Sequence, residues 1–549
     1  LANTTYWGWK EYLNYNHTFA KKHNLTALLG YEVNESTWGG ITASVSGFTA
    51  GDSPNNQTLN NGTASTATNS EYKGRQAMES IFARAIYTFN NIYSLTATIR
   101  SDETSKFYTG HQTGYFPSFA AGWRISDEKF MANVKQYADN IKIRLGYGEV
   151  GNQNVGNYKY GTALTAISTG LGTGFVVDKV ANPNLTWESA IQKDAGIDFS
   201  VFNGRIDATF DYFNKSSNNF IFQANLPAYV LGGSAEYSSQ AVVGSPYING
   251  GKISNKGFDF SISTKNIVGE KFKWNTNLVF SHYKNKVLSL ASGTPYIDGI
   301  INVSYLSLPV TRTIVGGEVG EFYGYKVKGI FKTTQQLANA PSQFGQPVSN
   351  TSGGTWLGDI QYQDVNGDGK ITSADQTSLG SPNPKFTYGI TNTFSYKAFD
   401  LSIFLNGSYG AKIFNALKYS TESLSGLYSN QLAEAANYWT PANSNSNIPA
   451  IKIGDNANLY NSDRFLESGS FLRIQNVNLG YNFPTSVIRR LKLSKLNVYV
   501  SGQNLYVITK YSGLDPEVGA YNQNVFLNNV DMGRYPIART ITFGVNAGF

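Results

Sequence analysis

Hydrophobic and polar residues alternate with a period of two in stretch after stretch of this chain. In "KFKWNTNLVFS", Phe272, Trp274, Leu278 and Phe280 fall on one side of an extended strand, with Lys273, Asn275, Asn277 and Ser281 on the other. "GRIDATFDYF" sets Ile206, Ala208, Phe210 and Tyr212 against Arg205, Asp207, Thr209 and Asp211. "KAFDLSIFLNG" does the same with Phe399, Leu401, Ile403 and Leu405, and the closing "ARTITFGVNAGF" keeps the pattern to Phe549. Successive side chains of a strand point to opposite faces, so such alternation marks strands whose two faces meet different surroundings. Along the whole chain it predicts fifteen strands, near 6–19, 24–33, 79–89, 92–102, 113–125, 139–150, 188–202, 205–218, 250–266, 272–287, 386–396, 398–410, 470–483, 495–508 and 538–549.

The connections alternate too. Those at 20–24, 90–91, 202–204, 267–271 and 396–398 are tight; those at 34–79, 151–187, 219–250, 288–385, 410–469 and 509–537 are long and polar. Short turns at one end and long loops at the other are the pattern of an outer-membrane β-barrel. Within 34–79 the run "SGFTAGDSPNNQTLNNGTASTATNS" reads as flexible surface loop. The 410–469 loop carries a helix-like segment, "IFNALKYSTESLSGLYSNQLAEAANYW". Bacterial single-chain barrels have an even strand count, so fifteen predicts a piece of a barrel. Each open edge would leave roughly five backbone groups unpaired in hydrocarbon, at several kcal/mol apiece. Two such edges exceed the roughly 5–15 kcal/mol that stabilises a typical domain. The remaining strands are therefore expected from elsewhere, most simply an upstream part of the same polypeptide.

Composition supports the all-β reading: 55 Gly and only 15% charged residues among 549. The 36 Tyr and 33 Phe suit a membrane–water boundary. No run approaches 18 apolar residues, so no transmembrane helix is expected. The opening "LANTTYWGWKEY" lacks the charged start and apolar run of a signal peptide, and the chain is expected to begin mid-protein or after processing. Absence of Cys excludes disulfides and thiolate metal sites. A net charge of +7 is mild, and the basic residues are scattered along the sequence, which reads as a solvated surface and no nucleic-acid footprint.

One segment carries distinct chemistry. In "DVNGDGKITSAD", Asp364, Asn366 and Asp368 occupy positions 1, 3 and 5 of a calcium-type loop spanning 364–375. Gly369 sits at the sharp turn, Lys370 would offer its backbone carbonyl, Ile371 fills the apolar position and Asp375 closes the loop. Ca²⁺ wants six to eight oxygens, and this spacing wraps them around one point. Asp at the last position is shorter than the usual Glu. With no flanking helix pair, a structural Ca²⁺ stapling the 288–385 loop is expected, against the alternative of an Asp/Gly-rich turn that binds nothing. Catalytic signatures are missing: no G-x-S-x-G, no P-loop and no H-E-x-x-H. His17, His23, His111 and His282 show no ligand spacing, and Trp356, Tyr438 and Trp439 are loop aromatics able either to stack on sugar rings or to pack within the loop. No substrate-contacting residue can be named.

Several segments together resemble the SusC/RagA family of TonB-dependent outer-membrane transporters of Bacteroidetes-type bacteria. They include "FPSFAAGWRISDEKFM", "IRLGYGEVGNQNVGNYKY", "GDIQYQDVNGDGKI", "GSPNPKFTYGITNTFSYKAFDLSIFLNGSYG", "FLESGSFLRIQNVNLGYNFP" and "GQNLYVITKYSGLDPEV". The resemblance implies a transmembrane antiparallel barrel of about 22 strands closed by an N-terminal plug. The plug, the TonB box and about seven strands would then lie upstream. It also implies a SusD-like lipoprotein over the extracellular mouth, energy from TonB–ExbB–ExbD, and outer-membrane lipid around the wall. Phe549 matches the C-terminal aromatic recognised by barrel-assembly machinery. The resemblance thus predicts the C-terminal barrel portion of an importer of oligosaccharides or, in some members, oligopeptides. A calcium-stabilised secreted β-protein that binds glycans is the reading from a different class. The repeated aromatic faces argue against it, since in water they would need a covering layer the chain does not supply.

Overall fold

All fifteen alternating segments form strands, and all fifteen join one antiparallel sheet in chain order. They are β1 (Ala2–Phe19), β2 (His23–Ser44), β3 (Thr68–Phe89), β4 (Tyr93–Thr104), β5 (Thr113–Arg124), β6 (Ala138–Asn152), β7 (Glu188–Val201), β8 (Ile206–Asn218), β9 (Lys252–Val268), β10 (Phe272–Ser289), β11 (Phe386–Tyr396), β12 (Phe399–Tyr409), β13 (Phe471–Asn482), β14 (Lys495–Thr509) and β15 (Thr540–Gly548). The computed structural model describes residues 2–549 except 50, 52, 54, 56, 225–242, 292, 304–305, 425–429 and 454–456. Among the described residues β1 and β15 are the edges of an open sheet and do not pair with each other.

Register makes the two faces continuous. Phe543 lies opposite Val500, and the row runs on through Leu479, Leu401, Phe394 and Trp274. Another row runs from Phe280 through Phe260, Phe210, Ile197, Ile143, Trp123, Tyr93 and Phe89 to His23. A slip of one residue in any pair would break both rows. These side chains line an exposed perimeter: Phe543 is 81% and Leu479 44% exposed, and Phe272 and Leu401 are half-buried. The other face is polar. Arg144 bridges Asp198 at 2.8 Å and Asp211 at 3.0 Å, Ser281 donates to Asp259 at 2.5 Å, and Asn482 donates to Asp400 at 2.6 Å.

Aromatic rings gather at two levels of the apolar face. At the tight-turn end, His23, Phe89, Tyr93 and Trp123 follow one another at 4.8, 6.3 and 6.4 Å between centroids. Near the long-loop end, Phe210, Phe258, Phe280, Phe386 and Tyr409 form a ladder across five strands at 5.1 to 5.8 Å. Phe272 and Phe280 mark the two levels on β10, eight residues or roughly 26 Å apart along the strand. With a strand tilt of about 40° this leaves roughly 20 Å along the membrane normal, close to the apolar band of outer-membrane barrels. The tight turn between Phe89 and Tyr93 uses left-handed backbone at Asn90 and Asn91, φ 52° and 59°, a conformation Asn tolerates.

The expected loop at 34–79 needs correction. β2 and β3 stay paired out to Ser44 opposite Thr68, so the connection is only 45–67. Residues 34–44 and 68–78 carry polar groups on both faces, which erases the alternation while the backbone ladder continues. The helix-like segment yields one short helix at Ala416–Thr421 and a 3₁₀ turn at Ala433–Asn437; its residues 425–429 lie outside the described residues, as do 225–242 of the 219–250 loop. Among the described residues no helix is long and apolar enough to cross a membrane.

Candidate functional site

The main hydrophobic core lies among the loops, over the long-loop end. Segment 288–385 builds a four-stranded sheet from Tyr296–Val303, Leu306–Ile314, Glu321–Gly324 and Thr377–Gly380. Its Ile301, Val310 and Phe322 pack with Phe414 and Phe465 from 410–469 and with Leu527 and Val530 from 509–537. Three loops far apart in sequence thus share one core. Side-chain amides sew it: Asn461 donates to the carbonyls of Pro309 and Tyr323 at 2.9 and 2.6 Å, and Asn529 to that of Pro382 at 2.7 Å. Buried ion pairs do the same. Arg473, 2% exposed by side chain, reaches Asp515 at 2.8 Å and Glu517 at 2.7 Å, and Arg464 reaches Glu422 at 3.0 Å. Burial pushes the Glu422 carboxyl above its ordinary value, against the pull of Lys418 and Arg464.

Below this mouth the polar face forms a trench of about 550 Å³, whose lining includes Asp211, Asp259, Ser281, Phe404, Asn406 and Glu517. It offers carboxylates, an amide, hydroxyls and aromatic rings side by side. The sequence reading named none of these as a site. Apart from Glu517, which lies in the 509–537 loop, their only mark is a place on the polar side of an alternating strand, which they share with dozens of others. Of the loop aromatics, Trp439 is 5% exposed and lies against Gly358, where a Cβ would meet its ring at 2.5 Å; it packs inside the loop. Trp356 and Tyr438 are half-buried. The histidines stay apart, His23 bonded to the Tyr87 hydroxyl at 2.6 Å and His282 to the Lys385 carbonyl at 2.5 Å.

The 364–375 loop is a tight turn held by its own Asp and Asn side chains. Gly367 and Gly369 both take φ of 79°. Ile371 is wholly buried beside Tyr325, Ile360 and Tyr362, and Lys370–Ile371 pairs with Ser342–Gln343. Asp364 accepts from the backbone N–H groups of Gly367 and Gly369 at 2.6 and 2.8 Å. Asp368 accepts from that of Lys370 at 2.9 Å, and the Asn366 side-chain oxygen from that of Asp368 at 2.9 Å. Asp375 is buried and accepts from Val365 and Thr372 at 2.9 and 2.8 Å. Burial raises its carboxyl pKa, but the N–H donors of Thr372, Val365 and Asn366 and contact with Asp364 outweigh that and hold it below the ordinary value. Among the described residues no three acidic or histidine side chains gather into a metal cage. The oxygens are nonetheless of the hard type Ca²⁺ takes. The residues fit such an ion by their chemistry.

An antiparallel sheet with one lipid-type face, one polar face, two aromatic levels and loops fused over one end defines an outer-membrane barrel wall. The family described as TonB dependent receptor-like, beta-barrel, matches residues 1–505, and the chain belongs to it, an outer-membrane protein. TonB-dependent receptor P3 of Formosa agariphila is 32% identical over 555 residues, covering 100% of this chain and 52% of its own. TonB-dependent receptor SusC of Bacteroides thetaiotaomicron is 29% identical over 502 residues, covering 87% and 44%. The solved structure of the RagAB peptide transporter matches with a TM-score of 0.82 at 23% identity, over 100% of this chain and 56% of that one, a likeness of fold. The chain spans about half the length of the curated relatives it matches. Membership in an outer-membrane family sets aside the secreted alternative.

Proposed function

We propose that this chain forms most of the wall and the mouth of a SusC-type, TonB-dependent importer of oligosaccharides, handed over by a SusD-like lipoprotein seated on the fused loops. The observation that carries the cargo assignment is the trench. Sugars present hydroxyls around each ring, and Asp211, Asp259, Glu517 and Asn406 can accept from them while the Phe404 ring packs on an apolar sugar face. In this reading the other strands, the plug and the contact with TonB–ExbB–ExbD come from polypeptide outside these 549 residues. No catalytic role is assigned. Binding to the protein purified from outer membranes, titrated with mixed oligosaccharides and with mixed oligopeptides, tests the cargo. Asp259→Asn with Phe404→Ala should lower oligosaccharide uptake about thirtyfold, two lost contacts at about 1 kcal/mol each, with unchanged membrane levels. If peptides bind and oligosaccharides do not, the cargo is peptide and the wall stands.

A Ca²⁺ held by Asp364, Asn366, Asp368, the Lys370 carbonyl and Asp375 is the second part of the reading. It would offset the charge of these carboxylates and stiffen the 288–385 loop. Ca²⁺ should protect that loop from protease relative to chelator, and Asp368→Asn should abolish the difference. Equal cleavage with and without Ca²⁺ in the unaltered protein would rule the ion out.

A further inference from the structure

Basic residues that look scattered along the sequence are gathered by register. Lys256 of β9 lies directly opposite Lys284 of β10. Lys256 also faces Asn214 of β8, which faces Lys193 of β7. One step further out, Lys286 faces Ser254, and Lys252 faces Asn218. All five lysines are exposed and line one shallow cavity of about 540 Å³ with Tyr147 and Ile191. Lysines scattered along the sequence are thus clustered in three dimensions.

Strand parity puts this patch on the outside of the wall. Lys252 and Lys256 share a face with Phe258 and Phe260, and Lys284 and Lys286 share one with Phe280. The lysines begin one alternation beyond Phe258, about 7 Å, on the side of the long loops. In outer-membrane barrels that side is extracellular. The patch therefore lies at the headgroup level of the outer leaflet, with the rings of Phe210, Phe258, Phe260 and Phe280, and His282 between Phe280 and Lys284, beneath it.

Like charges directly opposite in a sheet destabilise the pair. Here Lys256 and Lys284 are held opposite each other, and among the described residues no ion pair involves any of the five. Glu149, opposite Ile191, is the acidic neighbour on that face. A bound anion would offset this opposed positive charge. We propose that the patch binds the phosphate-bearing headgroup of an outer-leaflet glycolipid, whose acyl chains lie on the apolar face below. A free phosphate would satisfy the charges but would not use that face; this continuity commits the site to a membrane lipid.

The test uses the protein purified from outer membranes in mild detergent, with folding checked by heat-modifiable gel migration. Native mass spectrometry counts retained phosphorylated glycolipid. The delipidated protein is then offered phosphatidylcholine nanodiscs carrying lipid A or its dephosphorylated form. K256Q/K284Q should reduce retention about fivefold per lysine removed, while K256R/K284R and the polar-face control K142Q keep it. Equal retention by K256Q/K284Q, or equal retention of the dephosphorylated lipid, would overturn the proposal. Displacement by inorganic phosphate as effective as by lipid A would overturn it too, in favour of a free-anion site.

Discussion

Arg473 is among the most enclosed charges in the mouth, and its worth depends on both of its partners. Asp515 is 5% exposed, so Arg473→Ala would strand a carboxylate away from water. Breaking such a buried pair costs about 3–5 kcal/mol. Amide exchange should accelerate across Tyr511–Val518, and Arg473→Lys should restore only part of the protection, because an ammonium lacks the guanidinium fork. Unchanged exchange in Arg473→Ala would show that the hydrophobic core alone holds the loop. Gly257 shows the same dependence on neighbours through space instead of charge. A Cβ there would lie 2.1 Å from the His282 carbonyl oxygen and 2.8 Å from the Tyr283 Cα. Backbone cannot swing aside, so Gly257→Ala must push β9 from β10, an overpacking cost of about 1–3 kcal/mol. A lower unfolding temperature in the gel-shift assay is the expected result.

At the level of a strand, the two faces differ in what they tolerate. Leu479 stands on the row that crosses β11 to β15, and its neighbour Asn478 points to the polar side, opposite Ser402 and Ser501. Leu479→Arg should cost about 2–4 kcal/mol near the bilayer midplane and deplete the protein from outer membranes, whereas Asn478→Arg should leave levels near normal. Equal depletion by both, or the reverse order, would mean the faces have been assigned the wrong way round. The upper part of the β2–β3 hairpin obeys a different rule. Where Trp38 crosses Gly74, the missing side chain leaves room for the indole, since a Cβ there would meet it at 2.2 Å. Above the apolar band both faces are wet, so nothing forces alternation, and only the hydrogen-bond ladder defines the strand.

For the whole molecule, closure is the governing requirement. β1 and β15 each present a row of unpaired backbone groups, and hydrocarbon does not satisfy them. Expressed by itself, this stretch should pellet as aggregate and fail to enter vesicles, as judged by flotation; stable monomeric insertion would contradict the barrel-wall reading. Strand positions were legible in the sequence because two solvents impose a period of two on every crossing, as in Phe272–Phe280. The turn at 364–375 was legible because Gly367 and Gly369 stand beside the Asp and Asn side chains that accept from its backbone. The mouth was not, because Ile301, Phe414 and Val530 meet across more than a hundred residues without any shared period. The trench and the lysine patch were equally hidden. Asp211 and Asp259, or Lys256 and Lys284, become neighbours only when register sets one strand against the next. Local alternation by itself determined which residues face lipid. Which polar residues face one another was decided only by pairing between strands, because contact across a sheet depends on offsets that no single strand records.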